Sequence, residues 1–352
     1  MLRIGLIVVL LVSLAVSAQV QKRPTESIVI PNRESIVIPN RESKTIAIEP
    51  RISIHLPVGD SVSSQLQDLT DEPSRGDLFN RLAPPPPPRP PGAMSTYSLK
   101  IKFFRFPADT TLDTVENKPR LNSLFGIDIS HYTSKDIHFD QFAGQNVKYV
   151  YMKATQGTQS KDDKFKGFWS RAAALPAGRN VHRGAYHFMS AQGDAARQAQ
   201  VFLAILKENG GLKPTDMPPV VDLEWDVAKD GSDRWAGQSP QAILQKVQTW
   251  LDVVEDATGR TPMIYTSTPW WQQRIGLEAA KNSGFSRYAI WIADYSNSSK
   301  GVEIPQVPNK TAWAMWQFTN NAHLGESWEG LDASIFKGTE RQFYRTFHVA
   351  KF

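Results

Sequence analysis

Two acidic residues one position apart follow a short apolar run, in the order Pro-Val-Val-Asp222-Leu-Glu224-Trp. Residues i and i+2 of a β-strand share one face, and their Cα atoms lie roughly 6.6 Å apart. Both carboxyl groups would therefore enter one cavity, where two buried like charges favour protonation of one of them. Hydrolysis of a glycosidic bond uses such a pair, because the acid protonates the leaving oxygen and the anion stabilises or attacks the sugar. The alternative role for such a triplet is binding of a loop amide or an arginine.

Three further acidic residues are associated with apolar runs elsewhere in the chain. Asp128 lies within the run 125–130, Asp294 follows the run 290–293, and Asp332 follows a Gly-Leu dipeptide. In a parallel α/β barrel the carboxyl ends of the strands meet at one end and form the active site. If the runs are strands of one barrel, these acidic side chains should gather around the first pair.

A bound metal ion is the main chemical alternative, because three or four carboxylates could hold a hard cation. The chain has no oxygen-rich cation loop, its seven His residues lack the spacing of a metal site, and it has no Cys. Absence of Cys excludes thiolate zinc sites and cysteine nucleophiles. We therefore expect no metal. His187 ends another apolar run and is expected either to contact a substrate or to fill the core.

Aromatic residues concentrate near the same predicted strand ends. They are Trp225, Trp270, Trp271, Trp291, Tyr295, Trp313 and Trp316. Barrel interiors are usually filled by Val, Ile and Leu, so this concentration is unusual for a packed core. Flat aromatic faces suit sugar rings, whose axial C–H groups form an apolar surface. For any one Trp taken alone, a place in the core is the alternative.

The elements that must position these residues alternate along the second part of the chain. Predicted strands cover 125–130, 149–155, 184–189, 220–225, 263–266, 289–293 and 314–318, and predicted helices cover 165–175, 195–206 and 240–257. Ser239 and Pro240 are a typical N-cap and first helical residue. The pattern predicts an α/β fold, an irregular (β/α) TIM-like barrel of seven or eight strands at 121–352. An open doubly wound sheet is the competing architecture.

The first 18 residues have the layout of a signal peptide. A short basic start leads into the apolar run 4–16, which is followed by the small residues Ser17 and Ala18. The run is short for a membrane-spanning helix, so we expect export to the periplasm or the extracellular space, with an uncleaved membrane anchor as the alternative. The net charge of +5 favours attraction to anionic surfaces such as cell-wall polymers, but it is equally compatible with solubility alone.

Residues 19–120 do not have the composition of a folded domain. The octapeptide Glu-Ser-Ile-Val-Ile-Pro-Asn-Arg at 26–33 is repeated at 34–41, and a Pro-rich stretch covers 84–91. Such a stretch forms an extended polyproline II spacer. We interpret 19–120 as a disordered, low-complexity linker that precedes the barrel.

Eight short pieces resemble, in order, the family 25 glycoside hydrolases, which are lysozyme-type N-acetylmuramidases on an irregular β/α barrel. The pieces lie at 126–131, 153–157, 184–188, 222–224, Tyr265, 291–295, 316–317 and 331–332. The resemblance covers about residues 125–347. Two departures concern fine specificity: Gln156 stands where many relatives have Glu, and no Asn lies two positions after Asp332.

The resemblance implies roles for particular residues. Glu224 matches the general acid, Asp222 its partner carboxylate, and Asp128 and Asp294 supporting catalytic acids. Residues expected to bind substrate are Tyr186, His187, Trp225, Tyr265, Trp291, Tyr295, Trp316, Gln317 and Asp332. The implied reaction cleaves the bond between N-acetylmuramic acid and N-acetylglucosamine without a cofactor.

The implied partners are peptidoglycan glycan strands, with no nucleic acid, no membrane beyond the signal segment, and a monomeric protein. Two other functions stay open from the sequence. One is a wall-binding module that has lost catalysis, and the other is a hydrolase of another amino-sugar polymer such as chitin. Retention of all four carboxyl residues argues against the first, because binding alone does not need them.

Overall fold

The structure is a computed structural model that describes residues 67–68, 103–113, 117–276, 284–296, 299–300, 303–308, 312–325 and 330–352. All of them belong to one unit, Pro57–Phe352. The predicted signal peptide, the octapeptide repeat and the Pro-rich stretch lie outside the described residues.

The described strands form one large sheet and one small hairpin. In chain order they are β1 Gln67–Asp68, β2 Phe104–Phe106, β3 Leu112–Asp113, β4 Lys118–Pro119, β5 Ser123–Ile129, β6 Val147–Gln156, β7 Ser160–Lys161, β8 His182–Phe188, β9 Val220–Leu223, β10 Met263–Ser267, β11 Ala289–Ala293, β12 Met315–Leu324 and β13 Leu331–Lys337. Strands β3 and β4 form the hairpin.

Eight strands close a barrel, in the order β5, β6, β8, β9, β10, β11, β12, β13 and back to β5. Pairing from β5 through β12 is parallel, whereas β13 runs antiparallel to both of its neighbours. The closed ring confirms the predicted irregular barrel and excludes the open doubly wound sheet. Because seven strands share one direction, their carboxyl ends meet at one end of the barrel.

The described helices connect the strands and cover the barrel. They are α1 Ala108–Thr111, α2 Phe165–Ala173, α3 Ala195–Glu208, α4 Pro240–Thr258, α5 Thr268–Arg274 and α6 Glu340–Phe347. Ser239 caps α4 as expected, because its side chain accepts a hydrogen bond from the backbone N–H of Ala242. Within the described ranges, no helix combines the length and apolar character needed to span a bilayer.

Strand residues alternate between two apolar layers. One layer lies inside the barrel and includes Tyr151, Val220 and Trp291, together with Phe343 and Phe347 of α6. The other layer packs the outer faces of the strands against α2, α3, α4 and α5. The layer to which a residue belongs therefore tells whether its side chain faces the lumen or the helices.

The eighth barrel strand, β13, was not among the predicted strands. Its outward residues Leu331, Ala333 and Ile335 join the outer layer, while its inward face carries polar residues such as Ser334. It closes the ring by pairing with β12 and β5.

Residues before the predicted barrel boundary at residue 121 contact the barrel. Strand β2 pairs in parallel with the last residues of β12, and α1 follows it directly. Phe104 and Phe106 are buried on one face while Arg105 is exposed on the other. This period-two pattern buries two aromatic rings against the outer layer of the barrel.

Two glycines make room for aromatic rings inside the barrel. A Cβ atom at Gly126 would overlap the ring of Tyr149, and a Cβ atom at Gly184 would overlap the ring of Tyr151. Each glycine lies on the strand next to its tyrosine, at a paired position. The two tyrosines therefore fill lumen space that side chains from neighbouring strands leave open.

Substitution Gly184→Ala is expected to lower the free energy of unfolding by at least about 2 kcal/mol, because the added methyl group overpacks a buried ring. Gly167→Ala is the matched control. Gly167 is exposed within α2 and a Cβ atom there meets nothing, so this change should raise stability by about 0.5–1 kcal/mol. Urea unfolding followed by circular dichroism measures both. Equal stabilities for the two variants would contradict the packing argument.

Candidate active site

The lumen contains an aromatic layer with polar residues above it. Tyr149, Tyr151 and Trp291 pack deep in the barrel, and Trp291 contacts both Tyr151 and Tyr265. Burial, with contributions from Tyr151 and Asp128, raises the pKa of Tyr149 well above its ordinary value, so this phenol stays neutral. The aromatic layer closes the lumen from below, and chemistry is confined to the carboxyl end of the strands.

Asp222 and Glu224 lie at the carboxyl end of β9. Val220 belongs to the inner layer, so Asp222, two residues further along β9, also faces the lumen. Glu224 comes directly after the last residue of β9, between Leu223 and Trp225, which both belong to the outer layer. Both carboxyl residues have little exposed surface, 0% for Asp222 and 5% for Glu224.

The backbone around Glu224 is held by the loop that follows it. The indole N–H of Trp235 donates to the carbonyl oxygen of Glu224 at 2.9 Å, and Trp235 is fully buried. The carboxylate of Asp226 accepts hydrogen bonds from the Ser190 hydroxyl at 2.7 Å and from the Ala191 N–H at 2.8 Å. These contacts tie the segment after β9 to the segment after β8 and fix the position of Glu224.

Asp128 is connected to two tyrosines through Gln317. The Gln317 side-chain N–H donates to Asp128 Oδ2 at 2.7 Å. The hydroxyls of Tyr265 and Tyr295 donate to Gln317 Oε1 at 2.7 Å and 2.5 Å. Four expected site residues, on the three strands β5, β10 and β12 and on the loop after β11, therefore form one hydrogen-bonded group. Asp332 joins them on the same face, because it pairs with Asp128 across β13 and β5.

Lys153 is a lumen residue to which no role was assigned from the sequence. Its ammonium group donates to Gln156 Oε1 at 2.5 Å and lies 4.9 Å from the centre of the Phe188 ring. Phe188 is paired with Asp222 across β8 and β9. A positive charge thus lies on the wall next to the carboxyl pair. A lysine inside an otherwise apolar strand was the available signal, since such a residue is buried only where it meets polar partners.

Tyr186 and Trp291 also face the lumen. Tyr186 belongs to the inner layer and is paired with Lys153 and Val220 on the neighbouring strands. Trp291 is almost completely buried, and its indole N–H donates to the Ser334 hydroxyl at 3.0 Å. Trp291 therefore supports the floor of the site from below.

Asp294 is engaged by its own loop. One oxygen accepts from the Ser296 N–H at 2.9 Å, and the other accepts from the Ser299 hydroxyl at 2.5 Å and the Gln306 N–H at 2.7 Å. The Asp294 carbonyl oxygen accepts from the indole N–H of Trp316 at 2.8 Å. These contacts hold the start of the loop that carries Tyr295.

Several expected substrate-binding aromatics face away from the lumen. Trp225 and Trp316 belong to the outer layer, and the five residues Trp225, Trp270, Trp271, Trp291 and Trp316 are at most 6% exposed. Trp316 lines a pocket on the outer side of the barrel together with Phe104, Arg120 and Phe125. The structure does not bring Trp225 and Trp316 together with the lumen residues.

His187 lies on the outer face of β8, opposite to Tyr186. Its ring contacts the Thr155 hydroxyl at 2.7 Å and the Gln198 side-chain oxygen at 3.0 Å, and it stacks on Trp250. The side chain has no exposed surface, and this burial lowers its pKa to about 3. His187 is a neutral residue of the layer between sheet and helices, apart from the lumen group.

The lumen thus brings together carboxyl groups, an ammonium group, tyrosine hydroxyls and an amide. This set can donate a proton, accept hydrogen bonds and stabilise positive charge. Among the described residues, no three His, Asp or Glu side chains are grouped closely enough to hold a metal ion.

Comparison with known proteins assigns the chain to a family. The family described as glycosyl hydrolases family 25 matches residues 127–327, which is more than half of the chain. An N,O-diacetylmuramidase of Arthroderma benhamiae is 33% identical over 229 residues, covering 64% of this chain and 87% of that protein.

Two solved structures have a similar fold. A family 25 lysozyme from Aspergillus fumigatus is 26% identical with a TM-score of 0.52, covering 64% of this chain and 99% of that one. A lysozyme from Streptomyces coelicolor is 25% identical with a TM-score of 0.54, covering 64% and 96%. The matched region runs from within β5 to the end of β12 and includes Asp128, Asp222, Glu224 and Gln317. This chain belongs to glycosyl hydrolase family 25 and is a glycoside hydrolase.

Proposed function

We propose that the enzyme hydrolyses the β-1,4 bond between N-acetylmuramic acid and N-acetylglucosamine in peptidoglycan, with Glu224 as general acid and Asp222 as its partner carboxylate. The observation that supports this proposal is that Asp222 lies at a lumen-facing register position of β9 and that Glu224 follows directly after the carboxyl end of the same strand. Two adjacent carboxyl groups with so little exposure repel each other when both are ionised, so one of them is expected to hold a proton.

The two carboxyl groups have different tasks in this mechanism. Glu224 donates its proton to the glycosidic oxygen as the bond to the sugar breaks. Asp222 stays ionised and stabilises the positive charge that develops on the sugar ring, either directly or by orienting the N-acetyl group. Trp235 supports this assignment, since its hydrogen bond to the Glu224 backbone fixes the acid in place.

The lumen group around Asp128 is proposed to hold the sugar at the cleavage point. Tyr186, Tyr265, Tyr295 and Asp332 offer hydrogen-bonding groups around it, and Trp291 forms the floor below. Asp294 is proposed to position Tyr295, because its carboxylate oxygens accept hydrogen bonds that hold the loop that carries Tyr295. His187, Trp225 and Trp316 are proposed to support the strands from outside the lumen.

The choice of peptidoglycan as substrate rests on the relatives. The similar proteins are named as an N,O-diacetylmuramidase and as lysozymes. These names describe enzymes that cut the muramic-acid backbone of the cell wall. The net charge of +5 would assist approach to an anionic wall polymer.

Product analysis tests this proposal. Purified protein is incubated with peptidoglycan and, separately, with chitin, and the new reducing ends are labelled by borohydride reduction and identified by mass spectrometry. We expect reducing ends of N-acetylmuramic acid from peptidoglycan and a rate on chitin lower by at least about 10²-fold. New ends of N-acetylglucosamine, or faster cleavage of chitin, would contradict the bond assignment.

The chain's organisation is proposed to serve action outside the cytoplasm. Residues 1–18 would direct export, and the low-complexity segment that follows them would act as a spacer between the N-terminus and the catalytic barrel. The barrel is proposed to act as a monomer, because a glycan strand needs only one lumen for cleavage.

A further inference from the structure

Gln317 lies at the centre of the polar layer and has no exposed surface. Its amide nitrogen donates to Asp128, and its carbonyl oxygen accepts from Tyr265 and Tyr295. A side-chain amide oxygen has two lone pairs, and here each lone pair receives one phenolic proton. The residue was expected to bind substrate, but these contacts engage it with three protein side chains.

The direction of each hydrogen bond in this group follows from Asp128. An ionised carboxylate can only accept hydrogen bonds, so it must face the NH₂ side of the Gln317 amide. The opposite side of the amide is the carbonyl oxygen, which can only accept. Tyr265 and Tyr295 must therefore donate their protons to it, and each phenolic oxygen can act only as an acceptor towards any further partner.

The reversed amide is excluded as long as Asp128 is ionised. Reversal would place the Gln317 oxygen against the Asp128 carboxylate, with two acceptors facing each other and no proton between them. It would also make the amide a donor to the two phenols. The charge on Asp128 and the direction of both phenolic protons are thus coupled through one amide group.

We propose that Gln317 is a positioning residue that turns the region of Asp128, Tyr265 and Tyr295 into a surface of hydrogen-bond acceptors, which selects the hydroxyl and acetamido N–H donors of an amino sugar. This proposal rests on the proposed function, since it concerns the sugar bound next to the carboxyl pair. It adds a basis for specificity, because a substrate group that has only hydrogen-bond acceptors would face the accepting oxygens of Asp128, Tyr265 and Tyr295 and could not bond to them.

Other titratable groups face Asp128 and set the background for a pH test. Asp332 is its partner on β13, and Tyr149 and Tyr151 lie next to it on β6. Further titratable groups lie at the same end of the barrel: Asp222 on β9, Glu224 directly after β9, and Lys153 on β6. Because these groups are the same in every variant described below, a ratio of variant to wild-type rates at each pH removes their contribution.

Substitution Gln317→Glu is the first test. Protonated Glu has nearly the same shape as Gln and offers one O–H donor and one accepting carbonyl oxygen, which are the two functions that Gln317 uses here, so the variant should work while the new carboxyl group and Asp128 share one proton. Two ionised carboxylates at this distance repel, and the accepting surface then loses its fixed geometry. The ratio of variant to wild-type kcat/KM on a soluble peptidoglycan tetrasaccharide should fall at least about tenfold between about pH 4 and about pH 7.

Gln198 supplies a matched control. It is also a fully buried glutamine whose amide makes several hydrogen bonds, but it lies between β8 and α3, where it contacts His187 and the Ser190 backbone. Gln198→Glu introduces the same carboxyl group outside the lumen, so it should lower the melting temperature and keep its ratio to wild-type kcat/KM within about twofold across the pH range in which the variant stays folded. The same pH-dependent fall for Gln198→Glu, or a flat ratio for Gln317→Glu, would overturn the proposal.

A double-mutant cycle provides the second test and does not depend on a new charge. Tyr295→Phe should raise KM at least about fivefold in the wild type, because an acceptor is lost. In the Gln317→Met background the phenol is no longer oriented, so the same change should alter KM by less than about twofold. Equal effects in both backgrounds would overturn the proposal. If the wild-type protein cleaved no peptidoglycan, the proposed function would fail. Failure of the proposed function can therefore be distinguished from failure of the proposed role of Gln317.

Discussion

Substitution Glu224→Gln is expected to lower kcat on peptidoglycan by about 10³-fold or more, because the amide cannot protonate the departing sugar oxygen. The change keeps the size and shape of the side chain, and the Glu224 carbonyl contact with Trp235 does not involve the side chain. The melting temperature should therefore stay near the wild-type value. Steady-state rates on purified peptidoglycan, measured as new reducing ends, provide the check.

A second substrate identifies the missing proton as the cause. An aryl glycoside of the same disaccharide has a leaving group that departs without protonation, so Glu224→Gln should lose less than about tenfold on it. Asp226→Asn is the matched control, since Asp226 is a carboxylate of the same segment that holds the loops after β8 and β9. Its loss should be equal on both substrates. Equal losses for Glu224→Gln would remove the general-acid assignment.

Much of the fold followed from the sequence because local patterns and tertiary structure agree. Apolar runs bounded by turns became the seven parallel strands, and the predicted helix at 240–257 appears as α4, Pro240–Thr258, with its expected cap. The eighth strand was missed because its lumen side carries Asp332 and Ser334, so the segment 331–337 lacks a continuous apolar run. Its pairing with β5 is a long-range contact that no local signal specifies.

The side of the sheet on which each aromatic lies could not be derived from the sequence. A shift of one residue moves a side chain from the lumen to the outer layer, so assignment requires the register of the whole barrel. Trp225 and His187 each follow a lumen residue directly and therefore face outwards. The position of a residue near a strand end thus predicted that it lies close to the site, but not which side of the sheet its side chain faces.

The contacts among the polar residues of the lumen could not be derived from the sequence either. Asp128 and Gln317 are 189 positions apart, and their hydrogen bond depends on closure of the ring through β13. Lys153 and Gln156 were visible as part of a motif, but their mutual contact depends on the irregular end of β6. Spacing along the chain identified the candidates, and the closed barrel determined which of them meet.

Substitution Asp222→Asn is expected to lower kcat by about 10²-fold or more on peptidoglycan and by a similar factor on the aryl glycoside. The reason is that Asp222 stabilises charge on the sugar itself, which develops whatever the leaving group is. This behaviour differs from that of Glu224→Gln, whose loss depends on the leaving group. Asp222 lies fully buried within β9, so thermal unfolding of the variant must first establish that the barrel is intact.

The comparison of both variants on both substrates separates the roles of two residues that lie only two positions apart. A small loss for Asp222→Asn on the aryl glycoside, with a large loss on peptidoglycan, would mean that Asp222 serves proton donation rather than the sugar cation. If the two assignments hold, the double variant should lose no more on the aryl glycoside than Asp222→Asn alone, within about tenfold, because the aryl leaving group departs without the proton that Glu224 supplies. On peptidoglycan, where both the proton and the stabilising charge are needed, the double variant should be at least as slow as Glu224→Gln alone.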